Sequence, residues 1–178
     1  LSFLIHDAGQ RIWGLSIGYK IEFRACSYGL VAGLLLAFIS NGNLWLIMPS
    51  GIIVHHLAGH RLGFFRYDIN YFGKAMAVFG GTLATLTLII LIKVISVFIT
   101  NPLLDKALIF NVIYLITSLI PIPPMDGSNI YFGSRMLYAF VFPFIVAASL
   151  LMLIDISILI TLSVSFIIGV ILWITYYI

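Results

Sequence analysis

Four long apolar runs, separated by short polar turns, dominate the pattern of this chain. They cover residues 75–100, 106–120, 137–154 and 156–178, and only Lys93 interrupts the first of them. A helix of about 20 mostly apolar residues crosses a bilayer, so each run predicts a membrane-spanning helix. The Gly80-Gly81 pair in the first run would let another backbone approach closely. We expect Lys93 to snorkel or to pair with a carboxylate of another subunit.

Two shorter apolar runs lie nearer the N-terminus. Residues 29–38 and 44–54 flank a polar Ser-Asn-Gly-Asn turn at 40–43. Each is short for a full crossing, so together they predict one broken or re-entrant hairpin. Residues 61–74 form the most polar segment and predict an interfacial loop. The whole pattern indicates roughly four to six membrane segments in one domain that covers residues 1–178.

Composition strengthens the membrane interpretation. The 178 residues are 62% hydrophobic and 8% charged, with a mean hydropathy of +1.18, whereas a soluble domain has ~25% charged residues. So few polar groups cannot cover a globular surface in water. We therefore predict an all-α, polytopic integral membrane protein of the cell (plasma) membrane. Its expected partners are membrane lipids and other integral membrane proteins.

Charge and cysteine content narrow the remaining classes. The net charge is +3, and the nine basic residues are spread between the apolar runs. Such residues act as interfacial anchors, so no nucleic-acid partner is expected. Cys26 is the single cysteine, which excludes an intrachain disulfide framework and a cysteine-based zinc site. Because Leu1 begins an apolar stretch without a methionine, we expect a truncated or processed N-terminus.

The first candidate for chemistry is the segment HHLAGH at 55–60. His56 and His60 stand four residues apart, which would place them on one face of a helix. Neutral imidazoles bind zinc, copper or nickel, so the pair is a candidate metal site. Gly59 weakens a helix here. The alternative is a polar interfacial loop whose histidines bond to backbone or water.

The second candidate is the turn PIPPMDGSN at 121–129. Its prolines stop the preceding helix, because proline lacks an amide hydrogen and fixes φ. Asp126 and Gly127 follow, so a sharp turn carries a single carboxylate. That carboxylate either has a functional role or caps the next helix.

The stretch SLIPIPPMDG at 118–127 resembles the N-x-x-P-x-x-P-L-D-G turn of the site-2 protease family of intramembrane zinc metalloproteases. In that family the aspartate is a zinc ligand, so the resemblance implies a ligand role for Asp126. Pro121 and Gly127 would be structural parts of the turn, as would Ser118, which replaces the family's asparagine. Met125 replaces its leucine.

The family also has an H-E-x-x-H helix upstream, which supplies two zinc ligands and a general base. Three segments of this chain resemble, in order, the segments that follow this helix in archaeal-looking members: GYKIEFRACSYGL (18–30), MPSGIIV (48–54) and GKAMAVFGGTLA (73–84). All three follow His6, and nothing comparable follows His60. The resemblance reaches to about Arg135 and assigns the zinc helix to HDAGQ at 6–10.

Within this resemblance the metal site is eroded. His6 is retained, Asp7 replaces the glutamate that is the general base, and Gln10 replaces the second histidine. The shorter carboxylate changes the reach of the base, and a neutral amide oxygen is a poor zinc ligand. Gly81 and Ala84 also stand where the family has a proline and an asparagine.

Glu22 and Arg24 belong to the first of these family-like segments. A charged pair beside a membrane can anchor a loop at the headgroup level. The family pattern instead implies that the pair orders the chain after the zinc helix. We interpret both residues as structural.

These observations predict a divergent, archaeal-like member of the family that is a non-catalytic subunit or scaffold of a larger membrane complex and needs no cofactor. One alternative is an active zinc-dependent protease that cleaves transmembrane peptides. Its zinc ligands would be His6, Asp126 and either Gln10 or a histidine of 55–60, with Asp7 as the base. A second alternative is a metal-binding subunit of a membrane enzyme or transporter, with His56 and His60 as ligands.

Overall fold

A computed structural model of the chain describes residues 1–43, 45–47, 50–57 and 69–178. The described residues form seven helices and one two-stranded antiparallel sheet. In chain order the elements are α1 (Ser2–Ser16), β1 (Tyr19–Ala25), α2 (Ser27–Ile39), β2 (Ser50–His56), α3 (Tyr71–Phe98), α4 (Pro102–Ser118), α5 (Asp126–Gly133), α6 (Arg135–Leu151) and α7 (Ile158–Tyr177).

The predicted helical runs are found as helices. Helices α3, α4, α6 and α7 cover the four long apolar runs, and α2 covers the first of the short ones. Among the described residues, two helices are long and apolar enough to cross a membrane, namely α3 and α7. The chain is therefore mostly helical, with two candidate membrane-spanning helices.

Asparagine caps fix where two of these helices begin. The Asn70 side chain accepts a hydrogen bond from the Phe72 N–H at 3.0 Å at the start of α3. The Asn101 side chain accepts one from the Leu103 N–H at 2.9 Å, with Pro102 as the first residue of α4. Both arrangements are favoured at helix N-termini. The second explains why α4 begins earlier than the apolar run at 106.

The end of the second short run, from residue 50 onward, belongs to a strand rather than a half-helix, so the predicted helical hairpin is wrong there. Strand β2 pairs with β1, with Tyr19 opposite His56 and Glu22 opposite Ile53. β2 contains the β-branched run Ile52-Ile53-Val54, which packs well on a pleated surface. The prediction of an all-α fold is corrected to a mostly helical fold with one small sheet. Of the predicted interfacial loop at 61–74, residues 61–68 lie outside the described residues, and 71–74 begin α3.

Helix α3 is the centre of the packing. A Cβ added at Gly9 of α1 would lie 2.7 Å from the Gly80 carbonyl oxygen, so the two backbones meet closely, as the glycine pair predicts. On its other side α3 shares a core with α4 and α6, in which Ile89, Leu115 and Ile145 are fully buried.

Lys93 pairs within the chain. Its Nζ lies 3.0 Å from Oδ1 of Asp155, which stands in the connection between α6 and α7. The partner expected in another subunit is therefore supplied by this chain. The pair links the C-terminal half of α3 to the turn before α7.

Candidate functional site

Helices α1, α3 and α5 bring together four polar side chains that we call the His6 cluster: His6, Gln10, Thr85 and Asp126. His6 and Gln10 lie one turn apart on α1 and are 2% and 1% exposed. Thr85 and Asp126 each hydrogen-bond to His6, and Gln10 donates to Asp126. The cluster is therefore one hydrogen-bonded unit.

Thr85 bonds to one nitrogen of His6. The Thr85 hydroxyl lies 3.1 Å from the Gly81 carbonyl oxygen, to which it can donate, and 2.8 Å from Nδ1 of His6. The hydroxyl therefore holds the Nδ1 side of the ring, and Nε2 is the nitrogen that faces the rest of the cluster.

Asp126 is the first residue of α5, and its carboxylate reaches across to α1. Its Oδ2 lies 2.7 Å from Nε2 of His6, and its Oδ1 accepts from the Gln10 amide at 3.0 Å. The contact with His6 is a hydrogen bond between an imidazole nitrogen and a carboxylate oxygen. The helix-capping alternative for Asp126 is not what the structure has, because Met125 occupies the N-cap position and no side chain caps it.

Glycines make this arrangement possible. A Cβ at Gly81 would lie 2.9 Å from Nε2 of His6 and would also collide with the Gln10 side chain. A Cβ at Gly127 would collide with the Leu119 carbonyl oxygen, against which the start of α5 packs. Both positions therefore require a residue without a side chain.

Gln10 closes the cluster but is itself incompletely bonded. Its amide nitrogen lies 3.1 Å from Nε2 of His6 and 3.0 Å from Oδ1 of Asp126. Its Oε1 is buried and has no hydrogen-bond partner among the described residues. A buried acceptor left unpaired costs about 1–3 kcal/mol. Gln10 therefore donates to the Asp126 carboxylate, while its own side-chain oxygen has no partner among the described residues.

The donor set does not fit a three-ligand zinc site. A catalytic zinc site needs three protein ligands drawn from His, Asp, Glu and Cys, and the cluster offers one imidazole and one carboxylate. Its third group is an amide, whose nitrogen is directed at Asp126 and whose oxygen is a weak zinc ligand. Across the described parts of the chain, no three His, Cys, Asp or Glu side chains form a metal-binding group. Asp7 is half-buried on α1 and forms no hydrogen bond with the cluster.

The other candidate site, at residues 55–60, begins on a strand rather than on a helix. His55 and His56 end strand β2, so their side chains project to opposite faces of the sheet. His55 Nε2 lies 3.7 Å from Oε2 of Glu22, and the His56 ring packs 5.2 Å from the ring of Tyr19. The helix face proposed for His56 is therefore wrong, and His60 lies outside the described residues.

Glu22 and Arg24 lie on β1, between the end of α1 and the start of α2. Glu22 accepts from Lys20 at 2.8 Å. That hydrogen bond and the Lys20 charge, followed by the charge of His55, hold the pKa of the Glu22 carboxyl below its ordinary value. Arg24 borders an open cleft with Cys26 and Tyr28.

The remaining structural candidates surround the turn before α5. Ser118 ends α4, and its hydroxyl donates to the Leu115 carbonyl oxygen at 2.8 Å. Pro121 is exposed in the turn itself. In the described structure, neither side chain hydrogen-bonds to His6 or Asp126. Their contribution is to the path of the backbone before α5.

Two residues of the site do not follow from the sequence motifs. Thr85 lies one helical turn after Gly81 on α3. This spacing could have identified it, because it places the Thr85 hydroxyl on the same helix face as the glycine. Tyr114 packs its ring 5.3 Å from that of His6 and is 4% exposed. It comes from the middle of the apolar helix α4, where no motif marks it.

Comparisons with family models, with curated proteins and with solved structures find no match to this chain.

Proposed function

We propose that this chain is a non-catalytic membrane protein that keeps a site-2-protease-like core and serves as a subunit or scaffold of a larger membrane complex. The proposal assigns it to the plasma membrane with roughly four to six spans. Helices α3 and α7 are the candidate spans. Helices α4 and α6, with 17 residues each, reach the lower limit of about 17 residues for a crossing.

The observation that carries the proposal is the bonding within the His6 cluster. The two residues that the family resemblance would assign to zinc, His6 and Asp126, bond directly to each other at 2.7 Å. Gln10, at the position of the missing ligand, donates to the same carboxylate. A cluster whose members hydrogen-bond to one another in this way supports a structural role, because it ties α1 to α3 and α5.

Apolar surface supports the scaffold part of the proposal. Helix α2 buries only Gly29 and Gly33, and its Leu30 and Leu34 are 53% and 59% exposed. Helix α7 is similarly open along Ile167 and its neighbours. In a membrane such faces contact lipid or the helices of other proteins. They provide the surface that a subunit of a complex needs.

Metal analysis of the purified chain tests the non-catalytic assignment. We expect the wild-type protein to hold little zinc after exposure to zinc and dialysis, and His6→Gln and Asp126→Asn to hold equally little. Wild-type protein should also show no cleavage of transmembrane peptides above background. About one zinc per chain that disappears in either variant would overturn the proposal. A metal that disappears only in His56→Ala would indicate the metal-binding alternative at 55–60 instead.

One feature of the geometry favours the active protease as the second candidate. Thr85 bonds to Nδ1 of His6 and so directs Nε2 toward the carboxylate of Asp126. Zinc-binding histidines are commonly oriented by such a hydrogen bond on their other nitrogen. The same zinc measurement separates this candidate from the first.

A further inference from the structure

A half-buried lysine lies in a recess between the sheet and helices α3 and α5. Two adjoining cavities of ≈ 370 and ≈ 290 Å³ share Ile52, Tyr71 and Lys74 in their linings. The larger is within the size range of small-ligand sites, about 300–1,000 Å³. Neither cavity is part of the His6 cluster, whose residues do not line them.

Among the described residues, no acidic side chain balances the charge of Lys74. The ion pairs of the described residues involve His6, Lys20, His55 and Lys93, and none involves Lys74. No Asp or Glu lines either cavity. By contrast, Lys93 pairs with Asp155 at 3.0 Å. A partly desolvated ammonium group without a counter-ion attracts an anion.

The rest of the lining is suited to an amphiphile. Beside Lys74, the larger cavity has Pro123, Pro124 and Phe132 as apolar walls. Asn129 also lines it, and its amide makes a single hydrogen bond, to the Met125 carbonyl oxygen at 3.3 Å. One cation, one amide and several apolar surfaces match a ligand with an anionic head and an apolar body.

The position along α3 indicates where such a ligand comes from. Lys74 lies in the first turn of a candidate membrane-spanning helix. Tyr71 and Phe72 beside it are 67% and 51% exposed. Exposed aromatic residues at the end of a spanning helix mark the level of the lipid headgroups. A ligand that reaches this recess from the adjacent leaflet presents a headgroup phosphate.

We propose that the recess lined by Lys74, Asn129, Ile52 and Pro124 binds an anionic phospholipid, with its phosphate at Lys74. This inference rests on the proposed membrane location of the chain, and it does not depend on whether the His6 cluster binds metal. It makes the lipid a specific partner rather than only a solvent for the helices.

The test is lipid selection by the protein in nanodiscs made of equal amounts of phosphatidylglycerol and phosphatidylcholine. Lipids that stay bound after release from the disc are counted by native mass spectrometry. We expect the wild type to be enriched in phosphatidylglycerol, and Lys74→Gln to lose about fivefold of that enrichment. Lys74→Arg should retain it, because the charge is kept. Lys106→Gln is the matched control, since Lys106 is exposed in the first part of α4 and lines neither cavity.

Equal enrichment in Lys74→Gln and Lys106→Gln would overturn the inference, since it would show only a general effect of charge. Displacement of the bound lipid by millimolar inorganic phosphate would also overturn it, because the site would then select free phosphate. Helical circular dichroism of each variant confirms that it is folded. If the wild-type chain does not enter nanodiscs at all, the proposed membrane function fails instead.

Discussion

Two histidine segments of this chain are similar in sequence, but the structure places His6 and His55 in different surroundings. HDAGQ lies on α1, where His6 is 2% exposed and bonds to Thr85 and Asp126 from two other helices. His55 and His56 of HHLAGH end strand β2, where His55 is exposed and lies 3.7 Å from Glu22 on the neighbouring strand. His6 is part of the packing of the fold, whereas His55 lies at its surface. The difference shows that the surrounding elements, not the local spacing, make a histidine part of a site.

Replacing His6 and His55 should give the largest difference between the two segments. We expect His6→Ala to lower the free energy of unfolding by about 3 kcal/mol, because it empties a buried site and leaves the partly buried Asp126 carboxylate without its histidine partner. His55→Ala should change it by less than about 0.5 kcal/mol, as for other exposed positions. Reversible unfolding in mixed detergent micelles measures both. Equal effects of the two variants would mean that the His6 cluster does not stabilise the helices.

Glycine substitutions provide the next largest contrast. Gly81→Ala should destabilise the protein by about 1–3 kcal/mol, because the new Cβ would meet Nε2 of His6 at 2.9 Å and the carbonyl oxygen of His6 at 3.0 Å. Gly51→Ala on β2 meets only side-chain carbon closely, with Pro124 Cβ at 3.0 Å, and should cost less. Thermal unfolding of the two variants side by side checks this order. The reverse order would argue against close packing of α1 on α3.

The role of Thr85 can be isolated with a neighbour on the same helix. Thr85→Val removes the hydroxyl that bonds to Nδ1 of His6 and should cost about 1–2 kcal/mol. Thr87 is exposed and donates to the Leu83 carbonyl oxygen at 2.9 Å, so Thr87→Val should be close to neutral. Nitrogen NMR of the imidazole should show a shift of the Nδ1 resonance of His6 only in Thr85→Val. An unchanged His6 spectrum there would mean that no hydrogen bond joins Thr85 to His6.

The smallest expected effect lies at the edge of the sheet. Because the Lys20 hydrogen bond lowers the pKa of Glu22 in the folded state, this group stabilises the fold above its ordinary pKa. That contribution is lost as the pH falls through the folded-state pKa. In a carboxyl NMR titration, Lys20→Gln should raise the midpoint of Glu22, and His55→Ala should raise it less. A larger response to His55→Ala would mean that the histidine, not the lysine, is the main partner.

The sequence predicted the helices better than the sheet. Long apolar runs such as 75–100 and 156–178 allow only a helix, and α3 and α7 follow them closely. The run at 44–54 is too short for its pattern to separate strand from helix, and its pairing with β1 is a long-range contact that local propensity does not contain.

The site was also only partly predictable, because some of its contacts join distant parts of the chain. His6, Gln10 and Asp126 could be named from motif order, and the structure places them within hydrogen-bond distance of one another. Thr85 and Tyr114 contact His6 only because α3 and α4 pack around α1. Lys93 shows the same limit, since its partner Asp155 lies 62 positions further along the chain. The expectation that the wild-type His6 cluster holds little zinc stays a prediction.

The most direct test of the non-catalytic assignment is the zinc content of the wild-type chain beside Gln10→His. If the glutamine is what removes the site, restoring a histidine one turn after His6 completes two imidazoles and the Asp126 carboxylate, a set that binds zinc. We predict little zinc in the wild type, about one zinc per chain in Gln10→His, and its loss in His6→Gln/Gln10→His. A wild type that already holds about one zinc per chain, or a Gln10→His variant that stays without metal, would contradict the account.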